Sequence, residues 1–184
     1  MIIGICGLKG SGKDTLGNIL VEKYGFEKLS FAETLKDIVS IIFSWDRKLL
    51  EGNTTKSRKF RETIDNWWSK ELQKEITPRK MLQFIGTDLF RNNFHKDIWV
   101  KIIERKLINN NSKNIVITDC RFLNESEIIK KLGGIIIKIN RNINNIDIHS
   151  SEQQITTIKP NYIIENDKDI NHLYQQTKKI MDLL

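Results

Sequence analysis

The chain of 184 residues carries only two cysteines, Cys6 and Cys120, and three histidines, His95, His149 and His172. Neither set has the spacing of a zinc site. Both cysteines fall in expected strands, which reads as buried free thiols suited to a reducing cytosol rather than as a disulfide framework. No apolar run approaches the ~20 residues needed to cross a bilayer. The apolar start passes straight into a glycine-rich turn, so a secretion signal is not expected either. Internal repeats and low-complexity tracts are missing, as is any Ser/His/Asp arrangement for acyl transfer. The formal charge is +7, from 30 Lys plus Arg against 23 Asp plus Glu. No helix-turn-helix, zinc finger or aromatic-basic platform goes with that charge, which argues against nucleic acid as the partner. The surplus suits a protein that handles small polyanions, and a lysine-rich solvated surface accounts for it equally.

What is present begins at Gly7. The stretch Gly7 to Thr15, GLKGSGKDT, follows a short apolar run and opens a segment of helical periodicity. It fits the phosphate-binding loop G-x-x-x-x-G-K-[ST] except at the last position, where Asp14 precedes Thr15. Glycines let successive N–H groups turn inward around an anion, the helix that follows adds the positive end of its dipole, and Lys13 supplies a mobile cation.

Beyond the loop, short β-branched or apolar runs alternate with helical patterns. Phe26 to Phe31, Ile115 to Thr118, Ile135 to Ile139 and Tyr162 to Ile164 read as strands with Met1 to Cys6, and Asp169 to Leu184 as a closing helix. Between Ala32 and about Asn110 the pattern is almost wholly helical. Its stripes are Leu35, Ile38, Val39, Ile42 and Phe43, then Phe60, Ile64, Trp67, Trp68 and Leu72, all expected in a core. Thr77-Pro78 marks a helix start. This predicts an α/β fold: a five-stranded parallel sheet, doubly wound, in one domain of 1–184 with a helical insertion over 32–110. A polar, lid-like segment follows Arg141, over 141–155.

Ligands of such a sheet collect at the carboxyl ends of its strands. Lys36 follows the second strand; alone it is an ordinary solvated lysine. After the third come Asp119, Arg121, Asn124 and Glu125. Asp119 is placed to hold a hydrated magnesium ion and Arg121 to grip phosphate oxygens; alternatively Asp119 and Asn124 cap a helix while Arg121 pairs with Glu125. Arg141 could neutralise charge on a transferred phosphoryl group, and His149 beside it is more simply a surface residue. Arg79, Gln83, Thr87 and Arg91 recur every four residues and form one polar helix row, either a solvated face or a set able to hold a phosphate and read a base edge. Trp67, Trp68 and Trp99 could stack on a base, although helical spacing favours core.

Taken in order, GLKGSGKDT, FAETLK, TPRKMLQFIGTDLFR, DIWV, TDCRFLNE, HSSE and IIEND resemble the deoxynucleoside monophosphate kinases of bacteriophages and large DNA viruses over nearly the whole chain. Asp14 after Lys13 resembles the loop variant of that family. The resemblance implies a P-loop kinase fold with a helical acceptor-binding region, ATP as donor, magnesium, and a deoxynucleoside 5′-monophosphate as acceptor. It places Lys9, Gly10, Ser11, Gly12, Lys13, Asp14 and Thr15 on the ATP phosphates and Asn166 in the turn that touches adenine. Lys36, Arg79, Gln83, Arg91, Asp119, Arg121, Asn124 and Glu125 fall on the acceptor side, and Arg141 resembles a lid arginine. Catalysis would rest on Lys13, Arg121 and Arg141, and magnesium on Asp14 and Asp119. Glu152 and His149 match the HSSE segment without an evident role. Small-molecule nucleotides are the implied partners, with no membrane, in the cytoplasm of a host if the source is viral; a homodimer is one open arrangement. Two rivals stand: another small-molecule kinase on this scaffold, such as phosphomevalonate kinase, and a non-catalytic nucleotide- or nucleic-acid-binding protein.

Overall fold

The structure, a computed structural model, describes residues 1–110, 114–142 and 154–184. In chain order the elements are β1 Ile2–Cys6, α1 Lys13–Tyr24, β2 Glu27–Leu29, α2 Glu33–Phe43, a 3-10 turn Arg47–Leu50, α3 Thr55–Glu62, α4 Asn66–Glu71 and α5 Pro78–Gln83. A π-helical stretch Phe84–Asn92, α6 Ile98–Asn109, β3 Ile115–Ile117, α7 Leu123–Lys131, β4 Ile135–Asn140, a 3-10 turn Gln154–Thr157, β5 Tyr162–Glu165 and α8 Ile170–Met181 follow. The chain divides into two compact units, Met1–Ser30 with Ile103–Leu184, and Phe31–Ile102.

The first unit is built on five parallel strands in the order β2-β3-β1-β4-β5. Strands covered on both faces read as unbroken apolar runs, and Ile3, Ile5, Val116, Ile137, Ile139 and Ile164 form one buried cluster with Leu16 and Leu20 of α1 and Leu173 and Ile180 of α8. The central β1 lies between β3 and β4, with Ile3 opposite Val116 on one side and Ile135 on the other. This register brings the carboxyl ends of three strands, and the loops that leave them, to one edge of the sheet. The fold class is therefore the α/β parallel sheet that alternating apolar runs predict. Two strands are shorter than expected. β2 stops at Leu29 and β3 at Ile117, and the residues that follow, Ser30 and Thr118, donate their side-chain hydroxyls to the Asp119 and Asp14 carboxylates. Cys6 and Cys120 are buried free thiols, and burial pushes Cys6 up to about 11 against the pull of Lys138 and Lys13.

The second unit is helical and has a core of its own, made by Val39, Phe43, Trp45, Leu50, Ile76, Met81, Leu82 and Ile85. Trp45 stacks on Phe43 at 4.4 Å, and Trp68 meets Phe43 edge-on at 5.0 Å. One expectation fails here. Phe60 and Trp68 pack against this core, whereas Ile64, Trp67 and Leu72 are exposed. The cause is local: α3 ends at Glu62, and the Asp65 carboxylate accepts the Trp68 N–H at 3.0 Å to start α4 afresh, so the five residues never share one helix face. Ile42 of the first stripe is exposed as well.

Thr77 and Pro78 open α5 as predicted, with the Lys80 N–H donating to the Thr77 hydroxyl at 3.2 Å. From Phe84 the helix widens to i→i+5 bonding. The Gly86 carbonyl there accepts the buried Trp99 indole N–H at 2.8 Å, which settles Trp99 as core.

Candidate active site

At the carboxyl end of β1 the loop closes on itself in the way its glycines require. Gly7 and Gly12 have φ of 153° and 106°, and a Cβ on either would collide, at Gly7 with the Ile139 carbonyl and at Gly12 with the Asn166 amide. The Lys13 ammonium reaches back to donate to the carbonyls of Gly7 at 2.8 Å and Leu8 at 2.7 Å. It therefore lies over the hollow of the loop at the first turn of α1, where an anion would meet it. Ser11 is buried, and its hydroxyl has no hydrogen-bond partner among the described residues. Asn166, just past β5, donates its side-chain N–H to the Ser11 carbonyl at 2.8 Å. Lys9, Gly10 and Thr15 complete the loop and enter the helix.

Asp14 stands in the first turn of α1 with its carboxylate mostly exposed. It receives the Lys28 ammonium of β2 at 3.0 Å and the Thr118 hydroxyl at 3.3 Å. Partial burial pushes its pKa up, but Lys28 and Lys13 outweigh this and hold it below the usual carboxylate value. Asp119, one residue further, accepts the Ser30 hydroxyl at 2.7 Å. Glu125, which the resemblance puts on the acceptor side, is buried. It is 2% exposed, and its carboxylate accepts the backbone N–H groups of Arg121 at 2.8 Å and Phe122 at 3.1 Å, closing the start of α7. The Arg121 partner of Glu125 is thus backbone, and the Arg121 side chain is exposed beside half-buried Asn124. Arg141 is exposed at the end of β4, where a cavity of about 200 Å³ opens between Gly7, Leu8, Lys138, Arg141, Ile155 and Thr156. His149, Ser151, Glu152 and most of the lid-like segment lie outside the described residues.

Four expected residues belong to the second unit. Lys36 is an element of a network rather than a solvated lysine: it meets Glu51 at 2.6 Å, and Glu51 is also held by Arg47, which in turn reaches Asp37. Partial burial raises Glu51, but Lys36 and Arg47 prevail and lower its pKa. Arg79 pairs with Glu62. Arg79, Gln83, Thr87 and Arg91 are all half-buried, so the row they form is neither core nor open face. Residues at i+4 drift one way around an α-helix and the other way around the wider π-helix, and the switch at Phe84 keeps the four closer to one line. The sequence reading missed Lys28, Ser30, Thr118, Arg47 and Glu51. Thr118 opens the motif TDCRFLNE and Ser30 adjoins FAETLK, but neither was given a role, whereas Glu51 and Arg47 carried no signal beyond charge.

A protein of Acanthamoeba polyphaga mimivirus that bears the name of a deoxynucleotide monophosphate kinase is 36% identical over 195 residues, spanning 99% of this chain and 96% of that one. Residues 42–177 match the model of the family described as deoxynucleotide monophosphate kinase. The chain belongs to that family. As a member of the deoxynucleotide monophosphate kinase family it is a phosphoryl-transferring enzyme. The deoxynucleoside-5′-monophosphate kinase of Escherichia phage T5 is 24% identical over 91% of this chain and 82% of its own length. Among solved structures, TT1252 of Thermus thermophilus superposes with a TM-score of 0.51 at 13% identity, covering 100% of this chain and 97% of its own. That likeness concerns the fold alone.

Proposed function

We propose that this family member transfers the γ-phosphoryl group of ATP to the 5′-phosphate of a deoxynucleoside monophosphate. The observation that carries the reading is the Lys13 ammonium poised over a glycine loop that no side chain could share, in a chain of this family. The loop hollow fits a polyphosphate: it is lined by backbone, closed by a cation and set on a helix start. Magnesium suits oxygen donors that leave room for water and phosphate, and Asp14 and Asp119 are such donors. Asp14 and Asp119 would hold it there with ATP, and it would supply neutralisation of charge on the phosphate oxygens.

In the reaction an acceptor phosphate oxygen forms a bond to the γ-phosphorus as the bond to the β,γ-bridging oxygen breaks, and ADP leaves with the electron pair. The acceptor oxygen is already ionised, so no strong base is needed. Lys13 leaves its own carbonyls for the outer phosphates, Arg121 and Arg141 take up charge on the group in flight, and positioning supplies most of the acceleration. Lys36, Arg79, Gln83 and Arg91 hold the acceptor, and Asn124 contributes to the same role. The partners are thus small nucleotides. No helix of the described residues is long and apolar enough to cross a membrane, and we place the enzyme in the cytoplasm.

The test is a coupled assay with ATP against every deoxy- and ribonucleoside monophosphate and phosphomevalonate, with Lys13→Ala as the blank. Turnover of at least one deoxynucleoside monophosphate, lost in the variant, supports the reading. Turnover of phosphomevalonate alone, or of nothing, overturns it.

A further inference from the structure

The resemblance assigns Asn166 to the adenine, but the residue is 8% exposed and its side-chain amide donates into the loop. We propose that Asn166 is a positioning residue that sets the direction of the Gly12 N–H in the phosphate cradle. The geometry of one peptide unit carries the argument. The carbonyl of Ser11 and the N–H of Gly12 belong to the same planar, trans group and point to opposite sides of it. Whatever holds the carbonyl outward therefore aims the N–H inward. Asn166 holds it, at 2.8 Å. Asn166 is itself fixed, since its own N–H donates to the Asn140 carbonyl at 2.8 Å, tying the end of β5 to the end of β4. Its amide also fills the space where a side chain on Gly12 would stand, so loop and amide fit only with glycine at that position. The Ser11 side chain gives no support of its own, its hydroxyl lacking a partner among the described residues. A glycine-flanked peptide can flip at little steric cost, and without the amide the buried carbonyl has reason to do so.

The inference rests on the reading that this loop binds phosphates, and base-free inorganic tripolyphosphate separates the two. Binding of tripolyphosphate and of ATP is measured by calorimetry, with magnesium, for the wild type, Asn166→Ala and Asn166→Asp. Both variants are expected to weaken tripolyphosphate and ATP by a similar factor, about tenfold, with the ratio of ATP to GTP affinity the same as in the wild type. Asn166→Asp keeps the shape but offers a donor only when its carboxyl is protonated. Its affinity relative to wild type should therefore recover as the pH falls from 8 towards 5, while Asn166→Ala, which has no donor to regain, should stay weakened across the same range. Loss of ATP binding with tripolyphosphate untouched would assign Asn166 to the base and overturn the proposal, as would wild-type affinity in both variants. If the wild type itself ignores tripolyphosphate, the phosphate-loop reading fails rather than the role of the amide. Should Asn166→Ala fail to fold, the isosteric Asp variant answers alone.

Discussion

Asp14 occupies the position where the commoner loop has a hydroxyl, and its surroundings say what the exchange brings. A carboxylate on the first turn of α1 adds negative charge beside Lys13, and Lys28 and Thr118 balance it. Because Asp14 is largely exposed, the pair with Lys28 contributes at most about 1 kcal/mol. The sign of its pH dependence follows from the lowered pKa: the stabilisation is present above the unfolded value, near 3.9, and is lost as the pH falls through the lower folded value. Replacing Lys28 by Met should move the Asp14 titration, followed by carboxyl NMR, upward towards the ordinary aspartate range. An unmoved titration would show that Lys28 is not what holds it down. The same variant leaves Asp14 free of its internal cation, so its magnesium requirement with ATP should fall or stay level, not rise. For Asp119→Asn we expect a markedly raised magnesium requirement, and an unchanged one would remove Asp119 from the metal site.

The elements divide into those whose causes are local and those whose causes are not. Thr77-Pro78, the apolar strands and the glycine loop are dictated by neighbours in sequence, and they were legible. So was the strand-to-loop placement of Lys13, Asp14, Asp119 and Arg121. The break at Thr63 was legible in principle, since Asp65 three residues before Trp68 is a cap, but the continuing hydrophobic stripe obscured it. That carboxylate does two jobs, accepting the Trp45 indole N–H at 2.7 Å as well. Asp65→Ala should cost roughly 2–4 kcal/mol, one part for the lost cap and the other for a buried indole without a partner; urea unfolding followed by tryptophan fluorescence measures it. The π-helical stretch could not be read from periodicity, because its cause lies in packing around Gly86, against Leu35 and under Trp99. Gly86→Ala would place a methyl 2.6 Å from a Leu35 methyl. We expect a loss of about 1–3 kcal/mol, relieved when Leu35→Ala is added, so that the double-mutant cycle shows clear coupling. Least legible was the grip of Asn166 on the Ser11 carbonyl, which joins residues 155 positions apart. A short polar residue after a strand reads as a turn, and only the sheet order β1-β4-β5 brings it beside the loop.

At the scale of the whole molecule the net charge of +7 is the property that the fold leaves unexplained. It separates the kinase reading from its nucleic-acid rival, because the two use cations differently. A protein that neutralises several backbone phosphates loses affinity steeply with salt, with a slope set by the number of counterions released. An enzyme whose cations serve two small anions needs only a few at the site, and the remaining charge acts at a distance, guiding ATP and acceptor inwards until salt shortens the reach of the field to about 10 Å near 0.1 M. Raising the ionic strength should therefore lower kcat/KM for both nucleotides while leaving kcat nearly unchanged. Duplex DNA added at physiological salt should leave the rate unaffected. Tight, strongly salt-dependent DNA binding that also inhibits turnover would mean that the surplus serves a nucleic acid, and the positive surface would then need a function apart from the transfer reaction.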